Sequence, residues 1–312
     1  MEDRNGPLGL AVSGGPDSLA LLLLAAAALP GEIAVASIDH GLREEAASEV
    51  ALVEGLCAAL DVPFTAISVR LERGNLQAKA REARYAALRE WACDQNLGAV
   101  ATAHHADDQA ETLLMRLARG SGLPGLAGVR AGTLLPDSEI ALIRPLLWAR
   151  KADLEALVAS AGITPAQDPS NASRAFDRVR VRQHLAQHDW LDAEALATSA
   201  GHLAEAARAL DWYAELDWEE MVALEDDEDS PTYRYYANVP RVIQIETVCR
   251  IVSALGGRVS RSEAGRAADR LWRGENASLG GVLASASSEP MEGTPLHWRV
   301  WRFSPEPPRR TH

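Results

Sequence analysis

The stretch AVSGGPDSLALLLLAAAAL, residues 11–29, joins an extended apolar run to an apolar helix through a turn with two glycines. The run LGLAVS at 8–13 predicts a strand, and residues 18–29 predict a helix. Glycine permits positive φ angles and close approach of a ligand, and a helix N-terminus offers unpaired N–H groups and partial positive charge. The turn therefore predicts a phosphate-binding loop, which consists of Ser13, Gly14, Gly15, Pro16, Asp17 and Ser18.

Side chains of this loop add polar chemistry. The hydroxyls of Ser13 and Ser18 can donate to phosphate oxygens, whereas Asp17 suits either a helix cap or a Mg²⁺ ion shared with the phosphates. The loop lacks the G-x-x-x-x-G-K-[ST] and G-x-G-x-x-G patterns of other phosphate-binding loops. Backbone N–H groups, Mg²⁺ and arginines must therefore balance the phosphate charge.

Strand-like and helix-like segments alternate over the first two-thirds of the chain. This alternation predicts an α/β fold with a doubly wound parallel sheet covered by helices on both faces. Ligands of such sheets bind at the carboxyl ends of the strands, where the loop, Asp39-His40 and His104-His105 lie. The further predicted strands are 32–38, 64–69, 98–103 and 140–146, and the further predicted helices are 44–60, 76–96, 107–120 and 150–161.

Composition shifts define the predicted domain organisation. Residues 120–136 are rich in glycine and predict a mobile loop near the site. Helical spacing without strands then leads to the acidic run EDDEDSP at 225–231, which predicts a boundary. Beyond it, a helix, a capping box of Ser260 with Glu263, and a strand at 296–303 predict a small α+β module. The expected parts are a catalytic domain at 1–185, a helical connector at 186–229 and a C-terminal domain at 230–312.

Composition also restricts the compartment and the partners. The chain has 312 residues and a formal net charge of −13, so a nucleic-acid partner would have to bind a local basic patch. Three isolated cysteines fit a reducing compartment and argue against a zinc site or an iron–sulfur cluster. The apolar run at 19–29 is shorter than the ~20 residues of a membrane span. It predicts a buried helix in a cytoplasmic protein that has no membrane partner.

Histidines and carboxylates crowd the segment TAHHADDQAETLLMRLARGSG at 102–122. Asp108 and Glu111 are three residues apart and so share a helical face. The residue types of His104, His105 and Asp107 also suit the metal site of a hydrolase. Because no further ligand cluster completes such a site, the metal hydrolase is the less favoured interpretation of these side chains.

The loop SGGPDS resembles the PP-loop, S-G-G-x-D-S, of the ATP pyrophosphatases, which cleave ATP between the α and β phosphates. Four further segments resemble motifs of the tRNA(Ile)-lysidine synthetases, a family of that superfamily. These segments are SIDHGLR (37–43), QAKAREARYAALREWA (77–92), TAHHADDQAET (102–112) and DPSNASRAFDRVRVRQHL (168–185). The resemblance covers 8–185 in order, whereas 230–312 resembles the small tRNA-handling domain of some members only weakly.

The resemblance implies roles for particular residues. It implies that Asp108 and Glu111 orient or deprotonate the lysine ε-amine, with Asp39 as a third catalytic candidate beside the nucleotide. It implies that Asp17 and Asp108 hold Mg²⁺, and that the loop and Arg84 hold ATP. Contacts to substrate or tRNA are expected at His104, His105, Asp168, Asn171, Arg178, Arg180 and Arg182.

The three arginines allow two arrangements. They share one face of an extended segment, whereas on a helix Arg178 and Arg182 share a face without Arg180. Either arrangement gives a basic patch that can bind phosphate or remain solvated. Val179 departs from the asparagine that is common in the family at this place, which puts a local hydrogen bond in doubt.

The implied reaction has two steps. ATP adenylates the C2 carbonyl oxygen of the wobble cytidine in the CAU anticodon of tRNA(Ile), and the ε-amine of L-lysine then displaces AMP to give lysidine. The cytidine must be turned out of a single-stranded loop, because the enzyme needs its Watson–Crick edge. The alternatives are another PP-loop adenylating enzyme such as a tRNA thiolase, a non-catalytic nucleotide-binding module, and a metal phosphohydrolase. The sequence leaves the oligomeric state open, a homodimer included.

Overall fold

The computed structural model describes residues 6–39, 45–69, 76–166, 177–188, 190–227 and 230–306. The chain divides into two compact units, Met1–Glu205 and Ala206–His312. Residues 206–227, which we assigned to a separate connector, are therefore grouped with the C-terminal part. The limits at 185 and 229 stay a prediction about independently folding domains.

A six-stranded sheet forms the centre of the first unit. Its strands are β1 (Leu8–Ala11), β2 (Ile33–Asp39), β3 (Phe64–Ser68), β4 (Ala99–Ala101), β5 (Gly132–Leu134) and β6 (Ala141–Ile143). The order is β3-β2-β1-β4-β6-β5, and all neighbours are parallel except the β5–β6 pair at the edge. Leu8 of β1 pairs with Ile33 on one side and with Ala99 on the other. The winding reverses between β1 and β4, which is where ligands bind in such sheets.

Eight helices accompany this sheet among the described residues. They are α1 (Pro16–Ala28), α2 (Glu45–Ala59), α3 (Leu76–Asp94), α4 (Ala106–Leu117), α5 (Leu123–Leu126), α6 (Lys151–Ser160), α7 (Asp177–Gln187) and α8 (Ala193–Met221), whose last residues belong to the second unit.

Side chains of the central strands alternate between two apolar clusters. Ile33 and Val35 of β2 pack in a cluster with buried residues of α1, α2 and α6. Ala34 and Ala36 pack instead with Trp91 and other buried residues of α3. Helices thus cover both faces of the sheet, which confirms the predicted doubly wound fold.

Helix α1 contains the apolar run that raised the question of a membrane segment. Leu19, Leu21 and Leu22 are buried in the core beside β1, as predicted for a buried helix. Within the described ranges, no helix is both long and apolar enough to cross a membrane.

The glycine-rich stretch 120–136, which we expected to be a mobile loop near the site, contains regular structure. It forms α5 and the edge strand β5, and Gln109 of α4 fastens it. The Gln109 Nε2 donates to the Val129 carbonyl at 2.9 Å, and its Oε1 accepts from the Val129 N–H at 2.6 Å. The Arg116 guanidinium also donates to the Gly125 carbonyl at 2.6 Å. The glycine content favoured a mobile loop, whereas hydrogen bonds from side chains of the neighbouring helix α4 hold parts of this stretch.

The second unit contains an antiparallel sheet and two helices. Its elements are β7 (Val222–Asp227), β8 (Ser230–Tyr236), α9 (Arg241–Ala254), α10 (Arg261–Trp272), β9 (Ala277–Leu279), β10 (Val282–Pro290) and β11 (His297–Pro305). The strand order is β7-β8-β11-β10-β9. Tyr235, Trp301 and Phe303 are fully buried between this sheet and the helices.

The sequence predicted part of this unit. The capping box is present: the Glu263 N–H donates to the Ser260 Oγ at 3.3 Å, and the Ser260 N–H donates to the Glu263 carboxylate at 2.9 Å. The predicted strand at 296–303 is β11. The acidic run at 225–231, which we expected to mark a boundary, contributes its described residues to the paired strands β7 and β8, and the division between the two units falls at 205/206 instead.

Candidate active site

A cavity of about 470 Å³ opens at the carboxyl ends of β1, β2 and β4. The loop after β1, the N-terminal turn of α4, and residues of α3, α6 and α7 complete its wall. Its charged lining residues are the carboxylates Asp17, Asp39, Glu49 and Asp108 and the cations Arg81, Arg84, Lys151 and Arg178. A wall with both signs of charge suits a ligand that carries phosphates together with a metal ion or an amine.

The loop 13–18 is held by its own side chains. Gly14 has φ +81°, a conformation that favours glycine, and its carbonyl accepts from the Ala166 N–H at 3.0 Å. The Ser18 hydroxyl accepts from the Ser13 N–H at 3.1 Å and donates to the Gly15 carbonyl at 2.9 Å. Pro16 is the first residue of α1, where its missing N–H costs no hydrogen bond. Ser13, Gly15 and Pro16 line the cavity, so the N-terminus of α1 borders it from a fixed backbone.

His105 lies among three carboxylates at the start of α4. Its Nε2 is 3.5 Å from the Asp17 Oδ2 and 3.5 Å from the Asp108 Oδ2, and its Nδ1 is 3.6 Å from the Asp107 Oδ2. Burial lowers the pKa of His105, but the facing carboxylates of Asp107 and Asp17 and the negative charge of Asp108 outweigh burial and raise the pKa to about 10. The imidazole is therefore a cation at neutral pH, and it holds the carboxylates of two distant segments together.

The neighbouring carboxylates complete this network. The Asp107 Oδ2 accepts from the Lys151 N–H at 2.8 Å. The contact with the His105 ring is the main cause that lowers the pKa of Asp107 to about 2. The Asp108 Oδ2 accepts from the His105 N–H at 3.2 Å, which fixes that side chain at the cavity wall.

His104 has the opposite electrostatic character from its neighbour. Its Nδ1 is 3.1 Å from the Thr102 Oγ1. Burial is the main cause that lowers the pKa of His104 to about 4, and the charges of Arg144, Arg178 and Arg81 lower it further. His104 is therefore a neutral ring at the cavity, able to accept or donate one hydrogen bond to a ligand.

Helix α3 contributes a basic and aromatic face. Arg81, Arg84 and Tyr85, whose spacing predicted one shared helical face, all line the cavity. The Arg81 guanidinium lies 5.0 Å from the centre of the Tyr85 ring. Burial lowers the pKa of Arg84. Asp39, at the end of β2, faces the same cavity.

Helix α7 settles the arrangement of the three arginines. Residues 177–187 are helical, so Arg178 and Arg182 lie on one face, and Arg180 lies elsewhere and is exposed. Arg178 lines the cavity, whereas Arg180 and Arg182 do not. Val179 is buried, so an apolar contact stands where the family commonly has an asparagine.

Glu111 does not line the cavity, although we predicted it as a catalytic carboxylate. Its residue is 1% exposed, and its carboxylate pairs with Arg182 at 2.6 Å and with Arg178 at 3.3 Å. Proton transfer by Glu111 would have to break both ion pairs. The geometry leaves Asp108 and Asp39 as carboxylates that can reach a ligand.

Two predicted residues, Asp168 and Asn171, lie outside the described residues. Sequence reasoning did not single out the cavity residues Glu49, Thr102 and Lys151 as site residues. Lys151 follows the predicted strand at 140–146 and is one of only two lysines, a signal that could have marked it.

The cavity carboxylates fit a metal ion only when phosphates share it. Within the described ranges, no group of three or more histidine, cysteine, aspartate or glutamate side chains has the arrangement of a metal site. Mg²⁺, however, commonly takes one or two carboxylates and fills its sphere with phosphate oxygens and water. The Asp17 Oδ1 is buried and has no hydrogen-bond partner in the described structure. The Oδ2 atoms of Asp17 and Asp108 each lie 3.5 Å from the His105 Nε2. These residues fit a Mg²⁺ ion that is shared with phosphates.

Comparison with known proteins agrees with this geometry. The sequence family described as the PP-loop domain matches residues 2–189. The U34-tRNA thiolase NcsA of Methanococcus maripaludis has a similar fold, with a TM-score of 0.53 and 16% identity over 64% of this chain and 72% of that chain. The chain is thus a member of the PP-loop family, which uses ATP.

Relatives with higher identity narrow the assignment. The tRNA(Ile)-lysidine synthase of Novosphingobium aromaticivorans is 44% identical over 99% of this chain and 92% of its own length. That of Zymomonas mobilis is 36% identical over 98% of this chain and 90% of its own length. The chain belongs to the tRNA(Ile)-lysidine synthase family.

Proposed function

We propose that this chain ligates L-lysine to C2 of the wobble cytidine in the CAU anticodon of tRNA(Ile), with ATP as the activating substrate. The observation that carries the proposal is the cavity itself. One pocket contains the loop 13–18, carboxylates that suit an amine and cations that suit phosphates. These are the groups that an adenylation followed by attack of an amine requires.

In the first step, the loop positions the phosphates of ATP. Its N–H groups, together with Arg84, stabilise the charge that develops on the departing pyrophosphate. Mg²⁺, when held by Asp17 and Asp108, would supply further neutralisation of that charge. The pyrophosphate leaves, and the C2 oxygen of the cytidine carries the adenylyl group.

In the second step, carboxylates handle the lysine. A lysine ε-amine is a cation in water and must lose a proton before it attacks C2. Asp108 and Asp39 line the cavity and can orient the ammonium and take that proton. AMP leaves from C2, and lysidine is formed. His104, a neutral ring at the same wall, supplies a hydrogen bond to nucleotide or base.

Two arginines of α7, one at the cavity and one outside it, belong to the same proposal. We assign Arg178 and Arg180 to phosphate contacts, sequence-independent and sensitive to salt. The roles of Asp168 and Asn171 in substrate binding, of residues 230–312 in tRNA contact, and the homodimer all stay predictions.

The test is incorporation of labelled lysine into two tRNA transcripts with ATP and Mg²⁺. One transcript has the CAU anticodon, and in the other the wobble C is replaced by U. We expect label on the first transcript alone, with AMP and pyrophosphate released. Label on neither transcript, with a folded protein, would exclude the lysidine reaction.

A matched pair of variants tests the loop. Asp17→Asn should lower turnover by about 100-fold or more, because it removes a charge aimed at the metal and phosphates. Asp153→Asn is the control, since Asp153 also lies in the first turn of a helix but is exposed on α6. Equal effects of both substitutions would mean that Asp17 contributes only a negative charge to the first turn of its helix.

The alternative of a tRNA thiolase has less support. Cys57 is buried in the core, Cys93 is exposed and Cys249 belongs to the second unit, and none of them lines the cavity. A thiolase would release pyrophosphate without incorporating lysine. A metal phosphohydrolase would act without tRNA or amino acid, so the same assay separates all three.

A further inference from the structure

Glu111 makes an unusual set of contacts for a residue in the cavity's helix. Its Oε1 accepts from the Arg182 Nε at 2.6 Å, and its Oε2 accepts from the Arg182 Nη2 at 3.3 Å. The Arg178 Nε is 3.3 Å from the same Oε2. Arg178 also donates to the Thr112 Oγ1 at 3.2 Å. One buried carboxylate and one hydroxyl of α4 thus hold two arginines of α7.

The charges explain why this contact must form. Arg178 and Arg182 are four residues apart on α7, so two like charges share one helical face. A single carboxylate between them offsets the repulsion, and the hydrogen bond to Glu111 raises the pKa of Arg182. The three side chains retain one net positive charge. Arg178 is the member of this group that lines the cavity, so this charge is presented to the ligand.

We propose that Glu111 is a positioning residue: it docks α7 on α4 so that the Arg178 guanidinium faces the cavity and binds a phosphate. This proposal rests on the proposed function and changes one part of it, because Glu111 acts through an arginine and touches neither lysine nor the reacting atoms. The phosphate belongs either to ATP or to the tRNA backbone.

Burial and topology separate this role from that of Asp108. Both carboxylates lie on the same face of α4, but Asp108 is at the cavity wall and Glu111 is one turn further from it. A lysine ammonium that reached Glu111 would have to displace two guanidinium groups. Asp108 is open to the cavity without such a displacement.

The experiment is a double-mutant cycle with Glu111→Gln and Arg178→Met. Dissociation constants are measured for ATP and, separately, for the tRNA transcript, so the readout does not depend on turnover. We expect each single variant to weaken the same ligand, by up to about 100-fold, which is the scale of a misplaced site group. The double variant should bind no more weakly than Arg178→Met alone. Weakened ATP binding identifies the nucleotide as the source of the phosphate, and weakened tRNA binding identifies the RNA.

Two further variants secure the conclusion. Arg182→Met removes the ion pair with Glu111 from the side of α7, and Arg182 does not line the cavity. This variant should weaken binding of the same ligand even if Glu111→Gln does not fold. Glu215→Gln is the control for loss of a two-point ion pair, because exposed Glu215 pairs with Arg250 at 2.5 and 3.0 Å in the second unit. It should bind both ligands as the wild type does.

Three results would overturn the proposal. The first is wild-type binding of ATP and tRNA by Glu111→Gln. The second is a double variant whose loss of affinity is the product of the two single losses. If Glu111 acts through Arg178, its substitution should weaken binding no further once Arg178 is replaced. The third is a rise of the KM for lysine alone, which would make Glu111 a lysine ligand. Failure of the proposed function would instead appear as absence of lysine incorporation by the wild type.

Discussion

Protonation of His105 should dominate the pH dependence of stability in the first unit. The pKa of this side chain rises from its ordinary value of 6.5 to about 10 on folding, although the residue is only 3% exposed. Because the pKa is raised in the folded state, the contribution of His105 to stability is fully present below pH 6.5. It decreases above that pH and is lost as the pH rises through about 10. At about 1.36 kcal/mol per unit of pKa difference, the full contribution is of the order of 5 kcal/mol.

The assay compares urea unfolding of the wild type and His105→Gln at intervals from pH 6 to pH 10. EDTA is present, so that no divalent cation replaces the imidazolium between Asp17 and Asp108. Because glutamine stays neutral, the free energy of unfolding of the wild type should fall by about 4 kcal/mol more than that of the variant over this interval. Other titrating groups are common to both proteins and cancel in the difference. His202→Gln, which replaces an exposed histidine of the same unit, is the control.

A difference between wild type and His105→Gln that stays constant within about 1 kcal/mol over this interval would refute the reasoning. It would mean that the ring is neutral in the folded protein. The ¹⁵N chemical shifts of the His105 ring nitrogens provide a direct check, because both nitrogens carry protons in the cation.

Three substitutions test the fold by urea unfolding. Gln109→Leu should lower the free energy of unfolding by about 2–4 kcal/mol, because it leaves the N–H and the carbonyl of Val129 without their partner. A decrease below about 1 kcal/mol would mean that water replaces both hydrogen bonds. Leu10→Ala should cost about 2–5 kcal/mol, since Leu10 is fully buried in the central strand, and an unchanged midpoint would contradict its place in the core. Ser260→Ala should cost about 1 kcal/mol in the second unit through loss of the helix cap, and an equal cost in Glu263→Gln would show that the carboxylate contributes as much as the hydroxyl.

Local sequence was sufficient for the phosphate loop and for the sheet that presents it. A strand, a two-glycine turn and a helix are each specified over a few residues, so the residues alone place SGGPDS at a helix N-terminus. Alternation of strands and helices likewise determined the parallel sheet and the edge where ligands bind. The same local logic identified the face of α3 with Arg84 and the capping box at Ser260.

Tertiary structure decided what the charged residues do, because their partners are distant in sequence. The spacing of Asp108 and Glu111 predicted a shared face, and the family resemblance implied that both handle the lysine amine. The two carboxylates have different surroundings in the structure. Glu111 pairs with Arg182, 71 residues further along the chain, and is buried, whereas Asp108 lines the cavity.

The same limit applies to His105 and to the C-terminal sheet. The adjacent histidines His104 and His105 look alike in sequence, yet burial keeps His104 neutral, whereas the carboxylates of Asp107 and of Asp17, which comes from a loop near the start of the chain, make His105 a cation. Strand β8 pairs with β11 across more than 60 residues, a contact that no local pattern predicts. Periodicity records which side of an element is apolar, but pKa values and strand partners depend on groups that meet only when the chain has folded.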